Sequence, residues 1–297
     1  MAKWDGSGMS QADFMVKDEV IAIDEDDRIV GHVNKYVSHR FVPGAPRGIL
    51  HRAFSVFLFD QDANLLLQKR ASTKITFPGV WTNTCCSHPL FGCEPCEVDQ
   101  LSDLADGSVP GVKHAAVRKL HHELGIPAEH LPMESFKFLT RVHYYAADAL
   151  THGPNSPWGE HEIDYILLIK VDRSISINPH PDEVDAVKWV SVKEMDAMMD
   201  DPANLWSPWC RIIVERFARK WWQNLPEALT TDKYVDTVNI HRFDPPVRYR
   251  GGAGVTGLLE EGTLAAKIDR SKKQGAYGKV PVIKAGMMAQ LLHLDEV

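Results

Sequence analysis

The chain has no apolar run near the roughly 18 residues that a membrane-crossing helix requires, and the markers of several other classes are also scarce. Cysteine occurs five times in 297 residues, at 85, 86, 93, 96 and 210. So odd and sparse a set argues against a disulfide framework and for a reducing compartment. Positive charge is not in excess: 33 Lys and Arg against 40 Asp and Glu leave a formal charge of −7, which excludes a nucleic-acid-binding stripe. The stretch from Met1 to Glu19 mixes acids and bases without an apolar centre, unlike a secretory signal or an Arg-rich transit peptide. Asp295-Glu296-Val297 matches no simple address signal. A cytoplasmic protein is expected, with peroxisome and plastid as alternatives. At 44% hydrophobic and 25% charged residues, the composition is that of a globular protein large enough for a substantial core.

Strand signals dominate the first half. Val20–Ile23 and Ile29–Val33 flank the acidic turn Asp24-Glu25-Asp26-Asp27 as one hairpin, and His51–Phe59 and Leu65–Arg70 flank residues 60–64 as a second. Thr82–His88 reads as a further strand, and residues 92–110 read as an acidic loop. Val112, Ala116, Leu120 and Leu124 recur every four residues and predict a helix over Lys113–Leu124, stopped by Gly125 and Pro127. Phe136–Ala146, Ile163–Val171 and Val184–Val190 read as strands, with an inserted loop over 147–157. Ser191 to Glu194 forms a capping box. Ser207-Pro208 opens a longer helix through Trp222. Many strands that do not alternate regularly with helices favour a mixed α/β (α+β) sandwich over a doubly wound parallel sheet. Three segments are expected: a flexible N-terminal segment of residues 1–17, a domain over 18–244, and a Gly-rich, net basic extension over 245–297 in which Val280–Leu294 is a candidate for a short helix or for packing on the core. Cys93-Glu94-Pro95-Cys96 has metal or redox spacing, but a single such pair reads as a plain loop.

Two short segments carry the chemistry. Thr82-Asn83-Thr84-Cys85-Cys86-Ser87-His88-Pro89 sets a thiol two residues from an imidazole, and Trp158-Gly159-Glu160-His161-Glu162-Ile163-Asp164-Tyr165 sets two carboxylates two residues apart. In strand-like sequence, residues i and i+2 share a face. Cys86 and His88 can therefore point into one cavity, and so can Glu160 and Glu162. A histidine with two carboxylates is a potential metal site, and the thiol adds a proton donor.

These segments occur in order with Leu50-His51-Arg52-Ala53-Phe54-Ser55, Phe77-Pro78-Gly79-Val80-Trp81-Thr82-Asn83 and Ser207-Pro208-Trp209. Together they resemble the type 1 isopentenyl diphosphate:dimethylallyl diphosphate isomerases of the Nudix-fold superfamily, over about Asp18 to Phe243. The resemblance implies a Nudix-like mixed sheet sandwiched by helices, and a 1,3 proton shift on a five-carbon diphosphate. The stretch Arg118-Lys119-Leu120-His121-His122-Glu123-Leu124-Gly125 stands where a Nudix hydrolase carries its acidic box. Only Glu123 keeps a carboxylate there, which speaks against diphosphate cleavage. A Nudix pyrophosphohydrolase, or an inactive subunit that binds a protein partner through the C-terminal extension, are the competing readings.

Site roles follow from the resemblance. Cys86 and Glu162 are the expected acid and base, with Tyr144 hydrogen-bonding the carboxylate and Trp209 forming an aromatic wall for the cation. His39, His51, His88, Glu160 and Glu162 are the expected ligands of one divalent metal, Zn²⁺, Mn²⁺ or Mg²⁺. Glu123 is expected to hold a Mg²⁺ that bridges the diphosphate. Lys35, Arg70, Lys74 and Lys119 are the expected diphosphate ligands, Lys119 standing where the family more often presents Arg. Cys85 is expected in the core, as are Trp206, Trp221 and Trp222, unless these tryptophans pack at the surface. His121, His122 and His161 are left outside the site. Tyr145 competes with Tyr144, and His32 with His39.

Overall fold

The computed structural model describes residues 2–42 and 47–243. The extension 245–297, with its candidate helix and any partner contact, lies outside the described residues. Within them, a ten-stranded mixed sheet runs in the order Val184–Val190, Leu65–Arg70, His51–Phe59, Gly159–Lys170, Lys137–Ala147, Ile240–Phe243. His51–Phe59 and Gly159–Lys170 are parallel, whereas Lys137–Ala147 is antiparallel to Gly159–Lys170. The chain is a mixed α/β sandwich, as its pattern of elements implies.

The period of two in these strands sorts side chains into two cores. Phe54, Val56, Leu58, Ile163, Tyr165 and Leu167 face one layer, closed by helix Pro110–Leu124. Phe57, Phe59, Ile166 and Leu168 face the other, closed by the helical run that starts at Pro208 and carries Trp209, Trp221 and Trp222. The Pro110–Leu124 helix ends on Gly125 at φ 62°, where an added Cβ would lie 2.6 Å from the Asn178 carbonyl oxygen. Only glycine fits this left-handed cap.

The central strand His51–Phe59 changes partners along one edge. Ala22 lies opposite His51, Cys85–Ser87 lies opposite Val56–Phe54, and Leu65 lies opposite Phe59. No single strand covers this edge among the described residues, and Ala53, Phe54, Ser55, Cys86 and Ser87 from the two facing strands line the cavity.

Several expectations are corrected. The lead-in 1–17 carries a helix, Gln11–Lys17, with a Ser10/Asp13 capping box, and it buries Phe14 and Met15. Its short amphipathic turn gives little periodic signal, but two apolar side chains suffice to anchor it. The single strand expected over 82–88 is two, Trp81–Thr82 and Cys85–Ser87. The side chains of Asn83 and Thr84 take up backbone carbonyls between them. The acidic loop contains helix Leu101–Asp106. The carboxylate strand starts at Gly159 rather than Ile163. The 147–157 segment contains a helical turn, Ala149–His152. The helix after Ser207 passes through a π-helical stretch at Val214–Ala218.

Candidate active site

Register assembles the site. Glu162 lies opposite His51 on one neighbouring strand and opposite Tyr144 on the other. Cross-strand partners point to the same face, so one carboxylate is flanked by an imidazole and a phenol. The Tyr144 hydroxyl donates to Glu162 Oε2. Tyr145 alternates away, toward Arg47 and His161. His88 follows strand Cys85–Ser87, and its Nε2 lies 2.8 Å from Glu162 Oε1. The loop that bears His39 is stitched to the start of the carboxylate strand: Phe41 N donates to Pro157 O and Gly159 N donates to His39 O. This seats His39 Nε2 2.9 Å from Glu160 Oε2. His32 lies elsewhere, paired with Glu19 and stacked on Phe91.

His39, His51, His88, Glu160 and Glu162 are all buried, and they offer ligand atoms within 4.8 Å of one another. Nδ1 of His39 lies 2.8 Å from Lys35 O, and Nδ1 of His51 lies 2.7 Å from Ile49 O. Such bonds place the proton on Nδ1 and leave Nε2 as the lone-pair donor. Nε2 of His51 and Oε2 of Glu160 have no hydrogen-bond partner among the described residues. Buried polar atoms are rarely left so, and a cation coordinated by these atoms satisfies them. Burial, then repulsion from His51 and His39, holds the His88 imidazole well below its ordinary pKa, in the neutral form a ligand needs. Burial pushes both carboxyls up, but neighbouring groups outweigh it, His39 for Glu160, and the nearby His51 imidazole with the Tyr144 hydroxyl for Glu162. Both carboxyls end below the usual range and are ionised. The residues fit a divalent cation.

Cys86 pairs with Ser55 across the sheet and lines the cavity, whereas Cys85 turns into the opposite core. Burial pushes the Cys86 thiol up to about 12, against the pull of the Arg70 guanidinium 3.8 Å away. The thiol is protonated at neutral pH. Arg70 is fixed by the carbonyls of Phe77 and Thr76 and lies over the Trp209 ring. Trp209 is buried against Phe77 and Tyr144. Trp206, Trp221 and Trp222 belong to the core.

The other end of the cavity is cationic. Lys35, Lys74 and Lys119 line it, with Glu123 and Glu183 between them. Lys35 pairs with Asp18 at 3.4 Å, and Lys119 pairs with Glu123 at 3.1 Å. Glu123 also accepts from Gln68 and from the Cys85 thiol. Thus the expected site residues other than His51 line one cavity, and His51 adjoins it through the cluster with His39, His88, Glu160 and Glu162. The structure adds some that sequence reasoning missed: Glu183, Thr76, whose hydroxyl donates to Glu160, and Asp164, which accepts from Ser55. Asp164 continues the alternation of Glu160 and Glu162, a signal available in the sequence. Glu183 and Thr76 sit in irregular segments and carry no such signal. The Cys93/Cys96 thiols are free, and among the described residues no metal cluster forms around them.

Comparison with known proteins bears on this geometry. A NUDIX domain model matches residues 49–210. The chain is 46% identical to the isopentenyl-diphosphate delta-isomerase of Gibberella zeae, over 80% of this chain and 88% of that one. It is 44% identical to the Candida albicans enzyme, over 77% and 80%, and 43% identical to isomerase I, chloroplastic, of Arabidopsis thaliana, over 80% and 78%. The chain belongs to the isopentenyl-diphosphate delta-isomerase family. It is an isomerase that interconverts isopentenyl diphosphate and dimethylallyl diphosphate. The family's reaction moves a double bond by one carbon, which requires one proton added to the alkene and one removed nearby. A protonated thiol and an ionised carboxylate lining one buried cavity are suited to that exchange.

Proposed function

We propose that Cys86 donates the proton to the terminal carbon of isopentenyl diphosphate and that Glu162 removes one from the carbon nearer the diphosphate. The observation that carries this assignment is the opposite protonation of the two groups in one cavity, a thiol held up to about 12 and a carboxyl held below its ordinary range. Protonating the alkene leaves a tertiary carbocation-like state and a thiolate. Arg70 lies close enough to the sulfur to stabilise the thiolate, and the Trp209 ring faces the cation, an interaction of roughly 0.5–2 kcal/mol in a desolvated site. Loss of the second proton to Glu162 forms the new double bond. The buried Tyr144 and Trp209 rings shield the reacting carbons from water, which would otherwise trap the cation. In the reverse direction the two residues exchange roles.

His39, His51, His88, Glu160 and Glu162 would hold one divalent cation, and a set with three nitrogens favours Zn²⁺ or Mn²⁺ over Mg²⁺. When bound, such an ion neutralises the paired carboxylates and fixes their orientation. Glu123 would offer a carboxylate oxygen to a Mg²⁺, which would supply positive charge to the diphosphate. Lys35, Arg70, Lys74 and Lys119 are the cations for the diphosphate, whose binding energy positions the reacting carbons. A cytoplasmic location, with peroxisome and plastid as alternatives, belongs to the same reading.

Turnover of isopentenyl diphosphate in deuterated water tests it. Wild type incorporates solvent deuterium into dimethylallyl diphosphate. Cys86→Ala and Glu162→Gln each lose about 10²- to 10⁴-fold in kcat, the usual worth of a general acid or base. A Cys86→Ala enzyme that turns over at the wild-type rate rules the assignment out.

A further inference from the structure

Glu183 is the one carboxylate of the cavity to which the proposed chemistry gives no task. It is 2% exposed and sits just ahead of strand Val184–Val190. Its backbone is fixed at several points. Glu183 N donates to His180 O, Ala71 N donates to Glu183 O, and His180 N donates to Glu123 O. Its side chain divides its two oxygens. Oε2 accepts from Lys74. Oε1 accepts from Gln11 at 3.1 Å and lies 3.8 Å from Lys119 Nζ and 3.7 Å from His122 Nδ1.

Such a group has a physical purpose here. Lysine ammoniums gathered in one buried corner repel one another, and each sits on a long stem with several rotatable bonds. Left alone they would splay toward solvent or lose their protons. A carboxylate on a rigid turn, shared between two of them, holds both charged and in place before any anion arrives. Glu123 does not duplicate this, because its paired ammonium is that of Lys119.

We infer that Glu183 is a positioning residue of the diphosphate site, which presents the ammoniums of Lys74 and Lys119 to the substrate's diphosphate. The inference rests on the proposed role of those lysines. It accounts for the burial of Glu183 and for its contact with both ammoniums at once. It also ties in the N-terminal helix, since Gln11 bonds the same carboxylate and the neighbouring Asp182 carbonyl.

The test uses the full chain with Mg²⁺. Steady-state kinetics with isopentenyl diphosphate are combined with calorimetric titration by inorganic pyrophosphate, for wild type, Glu183→Gln, Glu183→Asp, Lys74→Ala and the double variant Glu183→Gln/Lys74→Ala. Glu183→Gln should raise both KM and the pyrophosphate Kd about tenfold, the weight of one charged hydrogen bond. Its kcat should fall by less than about threefold, the signature of lost uniform binding. Glu183→Asp should fall between Glu183→Gln and wild type. If Glu183→Gln does not fold, Glu183→Asp carries the test, with KM and Kd raised about threefold. The double variant should bind worse than Lys74→Ala by a smaller factor than separates Glu183→Gln from wild type, because only the Lys119 contact is then left to lose. Unchanged or tighter pyrophosphate binding by Glu183→Gln, or by Glu183→Asp where it stands in, overturns the inference if Lys74→Ala is weakened. If Lys74→Ala also binds pyrophosphate like wild type, the assignment of the lysines as the anion site fails instead.

Discussion

At the scale of single residues, the site depends on neighbours in sequence that point to opposite faces. Cys85 and Cys86 are adjacent, yet one packs in the core against Leu120 and its neighbours while the other faces the cavity beside Arg70. Cys86→Ser should keep the fold and lose about 10²-fold or more in kcat, because an alcohol is a poorer proton donor than a thiol. Cys85→Ala should act on stability instead, lowering the urea midpoint with kcat nearly retained, since it empties part of a buried layer while Glu123 keeps Gln68 and Lys119 as partners. Tyr144 bonds the proposed base from the next strand. Tyr144→Phe removes that bond without emptying the space. A fall in kcat of about tenfold is expected, with KM little changed, because a single charge-assisted hydrogen bond is lost. Steady-state kinetics of the three variants would check the set.

At the scale of elements, the hairpin Glu19–Ile23/Ile29–Asn34 shows how a turn can be structural. Its turn residue Asp27 is fully buried at φ 64°. Its carboxylate accepts from Arg52 of the central strand at 2.7 Å, from Arg141 at 2.9 Å and from the Tyr165 hydroxyl. One acid thereby joins three strands on the face opposite the site. The acidic run Asp24 to Asp27 looks like a solvated turn, and nothing local distinguishes its last member. Asp27→Asn keeps both shape and tolerance of the left-handed backbone but leaves two buried guanidiniums without a counter-charge. A loss of about 3–5 kcal/mol is expected, the usual cost of breaking a buried pair, read from urea unfolding by circular dichroism. The same strands carry His51 and Tyr144, so activity at a fixed temperature should fall as the folded fraction falls, with KM unchanged.

At the scale of the molecule, burial sets the pH response. Burial, then Arg242 and Arg47, lowers the His143 imidazole from about 6.5 to about 3. The native state keeps this histidine neutral while the unfolded chain protonates it. Stability is therefore full above pH 6.5 and falls as pH drops from 6.5 toward 3, with a slope of up to ~1.4 kcal/mol per unit from this group. Urea midpoints between pH 7.5 and 5 should show the decline, and His143→Gln should flatten it. Metal removal is the second global test. Dialysis against a chelator should abolish turnover and lower the melting temperature, since an ion that binds only the folded state adds its binding energy to stability. With Mg²⁺ present in the assay, Zn²⁺ or Mn²⁺ should restore both, with about one tightly held ion per chain by elemental analysis.

Taken alone, the sequence determined the class of fold, the main strands and the two chemistry-bearing segments, and the resemblance it carries named the acid/base, metal and cation residues proposed above. These lie in regular elements or ordered motifs, where a period of two or of 3.6 and a resemblance both speak. Tertiary structure alone decided three things. Strand register set Glu162 between His51 and Tyr144, because pairing partners far apart in the chain are chosen by packing and not by local preference. Pairing of Cys85–Ser87 with the central strand set Cys86 in the cavity wall. The fold also placed Glu183 and the helix Gln11–Lys17 at the cationic end, both from segments whose own residues carry no periodic signal, since their positions depend on long-range contacts formed only once the sheet is complete.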